Sequence, residues 1–204
     1  GGIMKNRPND KNVGRLTLSL QERDGYLVER FIKEIEIDKK SKLHKREKPN
    51  QNQTQISFAN KNFCKYLYDL GCHDNKSFTL NFPNKVPDDL IFAFMLGYFD
   101  GDGCMVFHKR LNKGLFSIIS SIEFCKKYHE ILIENCNIGG SLVERKYQGG
   151  TLAYVKVCGN MQILDIFHFL YRKSPFFLKR KYNKFLEVIK SNPDKYINYL
   201  CSLD

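Results

Sequence analysis

The chain repeats one order of structural signals, and that repeat restricts the folds open to it more than any compositional feature does. "IMKNR" and "GRLTLSL" flank the turn-rich "PNDKN" and read as two strands. Asp24 then caps a helix, "GYLVERFIKEI", whose Leu27, Phe31, Ile32 and Ile35 share one face. "SKLHKRE" and "QTQISFA" pair around the polar "KPNQNQ", and Asn60 opens the helix "KNFCKYLYDL", which Gly71 ends. After a connector punctuated by Pro83 and Pro87 and an apolar helix, the order returns. "CMVFHKR" and "LFSIIS" are strands, "EFCKKYHEILIEN" a helix, "SLVERKY" and "TLAYVKV" strands, and "NMQILDIFHFLY" a helix, with "FFLKRKYNKFLEVIK" continuing as helix and "DKYINYLC" as a short terminal one. The halves align at a nearly constant offset: Leu43 with Leu142, Ser57 with Lys156, Lys76 with Lys181. A two-copy ββαββα repeat predicts an α+β, pseudo-twofold protein, with the first repeat over 1–86 and the second over 87–204.

The strands alternate, as antiparallel strands with one covered face must. In the first repeat Leu16, Leu18, Ile56 and Phe58 point one way, joined by Leu43. Arg15, Thr17, Ser19, Lys42, His44, Arg46, Gln53, Gln55 and Ser57 point the other way. The second repeat is less regular: His108, Arg110, Ser117, Arg145, Tyr154 and Lys156 face outward, with apolar residues between them. Such side chains read base edges and hold phosphates, although an ordinary solvated sheet face has a similar look. The charge agrees with the first reading. With 33 Lys and Arg against 22 Asp and Glu, the formal charge is +11, which points to a polyanionic partner, nucleic acid before membrane surface.

Between the repeats lies "IFAFMLGYFDGDGCMVF", Ile91 to Phe107, where an apolar helix turns on two aspartates and three glycines into a strand. The helix, read as Asp88 to Phe99, is apolar nearly all round and is expected to be buried on both sides. Gly97 permits close approach of a partner helix, and Gly101 and Gly103 permit a tight reversal. Asp100 is placed to bond local amides at the turn, leaving Asp102 to project toward the sheet face. One or two carboxylates, completed by waters and phosphate oxygens, are what Mg²⁺ requires. A calcium loop of the EF-hand type fails at Cys104 and lacks the closing Glu, while a plain Asp-Gly turn remains the simpler alternative.

"MLGYFDGDG" (95–103) resembles the nine-residue signature of the LAGLIDADG homing endonucleases in its D-G-D-G form, and "NKSFTLNFP" (75–83) and "FFLKRKY" (176–182) resemble further segments of that family. The resemblance covers nearly the whole chain. It implies a saddle of two antiparallel sheets straddling duplex DNA, with signature helices paired at the pseudo-twofold interface. The implied activity is site-specific double-strand cleavage by phosphodiester hydrolysis with Mg²⁺ or Mn²⁺, as in intron or intein mobility. By the same resemblance Asp102 ligates the metal and Asp100 shapes the helix end, while Lys76 and Lys181 lie near the scissile phosphate. A two-repeat member carries two signature helices, yet Gly1 stands where Gly103 stands in the second. The chain therefore reads as a piece that starts just after a first active-site carboxylate, impaired alone and monomeric when intact. Two rivals share the scaffold: an RNA-splicing maturase acting on intron RNA, and a non-catalytic DNA-binding protein. Asp102 in a full D-G-D-G turn favours the nuclease.

Seven scattered cysteines (64, 72, 104, 125, 136, 158 and 201) contain no C-x-x-C pair, which predicts reduced thiols in an intracellular compartment, cytoplasm or organellar matrix. The longest apolar run, Leu90 to Phe99, is far short of the ~20 residues that span a bilayer, so no membrane partner is expected.

Overall fold

The computed structural model describes residues 2–3, 14–45, 52–72, 76–194 and 196–197. The chain forms two compact units, Gly1–Lys76 and Ser77–Asp204. The first contains β1 (Gly2–Ile3), β2 (Arg15–Gln21), α1 (Gly25–Glu34), β3 (Lys42–His44), β4 (Gln53–Ala59) and α2 (Lys61–Asp69). The second contains α3 (Ile91–Asp102), β5 (Cys104–His108), β6 (Lys113–Ser120), α4 (Ile122–Asn135), β7 (Ser141–Tyr147), β8 (Gly150–Cys158), α5 (Asn160–Tyr171) and α6 (Lys179–Ser191). Each unit holds one four-stranded antiparallel sheet, ordered β1-β2-β4-β3 and β5-β6-β8-β7. The identical strand order is the duplication seen in the sequence, now expressed as topology.

The connector that the sequence assigns to the first repeat packs with the second unit. Ser121 donates its hydroxyl to the Leu80 carbonyl, and Phe82 meets Phe94 and Phe124 with ring centroids 5.1 and 5.4 Å away. Ser121 also caps α4, accepting from the Phe124 amide at 3.2 Å. In the first unit Asn60 does the same for α2, holding an extended backbone and accepting from Phe63 N at 2.9 Å. Asp24, expected to cap α1, does not. It closes a 3-10 turn with ψ near 5°, so its carboxylate makes no bond to the first helical amides.

In each unit the helices cover one face of the sheet. Leu16, Ile56 and Phe58 pack on Val28, Ile32 and Cys64 in the first core. The second core is larger and more aromatic: Phe116, Ile118, Ala153, Val155 and Val157 from the sheet meet Phe99, Phe124, Tyr128 and Phe185 from the helices. Burying each large apolar side chain contributes roughly 1.5–3 kcal/mol, so this cluster anchors the unit. Tyr128 is fully buried yet satisfied, its hydroxyl donating to the Met95 carbonyl at 3.1 Å and tying α4 to α3.

Leu43 lies on the helix-facing side as expected, opposite Thr54, yet is 48% exposed on the edge strand β3. The register also corrects its repeat partner. If Ser57 matches Lys156, then Gln55 matches Tyr154, and their edge-strand neighbours are Lys42 and Val143. Leu43 therefore corresponds to exposed Glu144, and not to Leu142, which packs against the core.

The apolar helix also differs from its sequence reading. Asp88–Leu90 form a 3-10 turn, and α3 then runs through Asp100 and Gly101 to Asp102. It is not buried all round: Phe92, Met95, Leu96 and Phe99 are interior, whereas Gly97, Gly101 and Asp102 are exposed. A Cβ at Gly97 or Gly101 meets nothing within 4 Å. The reversal falls on Gly103 alone, in an ordinary extended conformation (φ −84°, ψ 165°). Glycine is required there for space. An added Cβ would lie 2.2 Å from the Phe99 ring and 2.6 Å from the Phe99 carbonyl oxygen.

Gly103→Ala is therefore expected to destabilise the second unit by about 1–3 kcal/mol or more, the cost of overpacking against atoms that cannot rotate away. Gly97→Ala, facing open space, is expected to be neutral or mildly stabilising through helix propensity. Urea unfolding followed by circular dichroism, with unchanged slope and shifted midpoint, checks both.

Candidate catalytic helix end and nucleic-acid interface

The end of α3 gathers three of the residues singled out by sequence. Asp102 is the last helical residue and its side chain is exposed. Asp100, two residues back, points elsewhere: its Oδ2 accepts from the Leu178 amide at 2.7 Å, across 78 residues. This bond reaches across the sequence to another element and is not made to the turn that follows the helix. Leu178 is the residue that precedes α6, so Asp100 ties the start of that helix to the end of α3.

Lys181 answers from the first turn of α6. It is only 6% exposed, and its Nζ donates to the carbonyls of Phe99, Asp100 (2.9 Å) and Gly103 (2.6 Å). The ammonium also lies 4.7 Å from the Phe99 ring centroid. The carbonyls that follow the last helical bond, accepted by Phe99 from Gly103 N, lack intrahelical donors, and a helix C-terminus favours a cation, so one side chain serves both. Burial pushes the Lys181 pKa down to about 8, with Asp100 pulling the other way. Lys76 opens a short 3-10 turn, Lys76–Phe78, and its side chain lies outside the described residues.

The uncovered face of the first sheet is polar throughout its centre. Thr17 and Ser57 share a hydrogen bond at 3.1 Å, Arg15 donates to Ser57 at 3.3 Å, and Ser19 donates to Gln53 at 2.9 Å. Gln55 stands between Ser19 and Lys42, and Gln53 between Gln21 and His44. Gln21 was missed because β2 runs one residue past the last alternating leucine. Arg46 lies outside the described residues.

The second sheet presents a different surface. Ser117 stands between Cys104 and Lys156, and Lys156 also neighbours Ser141. Ile119, Tyr154 and Val143 form the next row, followed by Leu152 and Arg145. Tyr154 is the hub: its hydroxyl bonds that of Tyr147, and Arg145 and Lys156 sit 5.2 and 5.5 Å from its ring centroid. Sequence reasoning overlooked Tyr147, although alternation in "SLVERKY" sets it on the face of Arg145. His108 ends β5 opposite Lys113 and is exposed. Arg110 is not on the strand. It belongs to a 3-10 turn, Lys109–Leu111, closed by left-handed Asn112 (φ 45°).

Among the described residues no group of three or more His, Cys, Asp or Glu side chains is placed to hold a metal ion, and no helix is long and apolar enough to cross a membrane. No protein-family model matches the sequence, and no curated relative matches it. Solved structures do. The I-LtrWI LAGLIDADG homing endonuclease bound to target DNA is 15% identical, with a TM-score of 0.57 over 89% of this chain and 80% of that one. The homing endonuclease I-WcaI bound to its DNA recognition sequence is 16% identical, with a TM-score of 0.55 over 89% of this chain and 78% of that one. Two antiparallel sheets of identical order, each backed by helices and the second led by α3, are thus matched along most of the chain: it has the fold of the LAGLIDADG homing endonucleases.

Proposed function

We propose that the chain is a LAGLIDADG homing endonuclease, which cleaves both strands of a specific DNA site by metal-assisted phosphodiester hydrolysis. The observation that carries this reading is the division of labour at the end of α3. Two carboxylates stand two residues apart, one held in a structural bond to Leu178 and the other left exposed at the end of the helix that leads into β5. A buried or paired Asp102 would have argued for a plain turn.

The donor set fits a hard divalent cation that is shared with its substrate. One exposed carboxylate cannot cage an ion, but Mg²⁺ dehydrates reluctantly and takes one or two carboxylates, waters and phosphate oxygens. Asp102 would hold it, and the ion when bound would supply Lewis-acid stabilisation of charge on the phosphate. The chain's own residues do the rest. The polar face of β2, β3 and β4 offers Gln, Thr, Ser, Lys and His to base edges and phosphates, and Arg145 and Lys156 beside Tyr154 offer charge with an aromatic surface. Lys76 is assigned to the neighbourhood of the scissile phosphate by its place after the first repeat.

Two outcomes follow from this reading. Duplex DNA binding is expected to weaken with salt at a slope of about −0.9 in log K per phosphate contact, and Lys42→Ala or Lys156→Ala should each lower the slope by about one contact. A flat salt response removes the nucleic-acid assignment. In the intact protein, Asp102→Asn is expected to abolish cleavage of a randomised duplex library in Mg²⁺ while leaving duplex affinity within about threefold, because the amide keeps the shape and loses the charge. Normal cutting by that variant overturns the role given to Asp102.

A further inference from the structure

The hydrogen bonds at the junction of α3 and α6 run in both directions and form a reciprocal latch. From α3, the Asp100 carboxylate accepts the amide of Leu178, an N–H that the first turn of α6 leaves without a helical partner. From α6, Lys181 carries its ammonium to the other helix and donates to the carbonyls of Phe99, Asp100 and Gly103. Lysine has three N–H donors, and three carbonyls receive them. Those carbonyls bracket Asp102: two lie before it in the last turn, and one belongs to the next residue. Gly103 adds a steric stop, since its amide bonds the Phe99 carbonyl at 2.8 Å and no Cβ fits beside that ring.

We infer that Lys181 is a positioning residue, which sets the direction of the Asp102 carboxylate by clamping the backbone on both sides of it and does not itself touch the substrate. This rests on the nuclease reading for its consequence, though not for its geometry. A lysine that approached DNA or shuttled a proton would need a donor or lone pair free toward solvent. Here the side chain is interior, stacked over Phe99, and its donors are committed to the protein. Asp100 and Lys181 then act as one unit. The carboxylate fixes where α6 begins, the ammonium fixes where α3 ends, and the exposed Asp102 leaves from a backbone held at both neighbours.

The test uses the full chain with two readouts that do not depend on cleavage. Amide hydrogen exchange is followed at residues 99–104, with β6 as internal reference. Broadening of the Gly101–Cys104 amide resonances by Mn²⁺ alone reports ion residence at Asp102, with Asp102→Asn as the blank. Lys181→Met keeps the apolar stem and removes the donors. It is expected to speed exchange at the helix end about tenfold or more, with β6 unchanged, and to weaken Mn²⁺ affinity about 10- to 100-fold. Asp100→Ala, cutting the latch from the other side, is expected to do the same, and Lys181→Arg should recover part of both. The result that overturns the inference is a Lys181→Met protein with unaltered exchange and Mn²⁺ response that nevertheless fails to cut DNA, since Lys181 would then act on substrate directly. If Lys181→Met does not fold, the Asp100→Ala and Lys181→Arg arms decide between the same alternatives. Should the wild-type chain neither bind Mn²⁺ nor cut, the nuclease reading falls, while the exchange measurement still decides the latch.

Discussion

A four-stranded sheet backed by helices on one side must sort its side chains by parity, and everything functional in this chain follows from that constraint. Phe116, Ile118, Val155 and Val157 go to the core because each is an even step from the others across β6 and β8. Ser117, Lys156 and Tyr154 are therefore sent to the open face by the same register. A slip of one residue would exchange the two sets and bury Lys156. The core thus enforces the composition of the outer surface, and the buried tyrosines and phenylalanines of α3 and α4 supply the rigidity with which that surface is presented.

The same constraint explains where the catalytic candidate sits. A helix that feeds directly into the edge strand of a sheet ends at that edge, and the carboxylate on its last residue, Asp102, is exposed there. What the constraint does not supply is direction, since helix ends fray and their carbonyls solicit donors. Direction comes from outside the motif. Leu178 and Lys181, contributed by α6, close the helix end from a distance in sequence that no local signal spans. The glycine at 103 belongs to this arrangement as a matter of volume, its backbone angles being open to any residue.

These distinctions mark what a sequence can and cannot reveal here. β4 and α5 were legible to the residue, because alternation and an apolar stripe are periodic signals that need no partner. The duplication was legible for the same reason. Parity set Leu43 on the correct face, but parity says nothing of how far that face is covered at an edge strand. The repeat offset failed at the same edge strand, where the β3–β4 and β7–β8 connections differ in length. Asp24 had the right residue type for a cap and the wrong backbone angles, which only the preceding 3-10 turn imposes. Lys181 is the instructive case. Its place after the second repeat drew attention to it, but a lysine in "FFLKRKY" reads as a surface charge, and the carbonyls of Phe99, Asp100 and Gly103 that receive its buried ammonium lie 78 to 82 residues away in sequence.

The two open faces are not copies of one another, despite the copied topology. In the first unit the central side chains are small hydroxyls and glutamines already bonded to one another, Thr17 to Ser57 and Ser19 to Gln53. Such groups can trade partners with a ligand at little net cost, because a bond lost is replaced by a bond gained. In the second unit Leu115, Ile119, Val143 and Leu152 flank the Ser117–Lys156 row, and polarity is concentrated on Tyr154 with Tyr147, Arg145 and Lys156 around it. Apolar flanks reward exclusion of water and contact with methyl or ring faces, whereas a clustered cation and aromatic pair favours a phosphate or a stacked base. Under the nuclease reading, the halves of the protein would not read the halves of a target by the same chemistry.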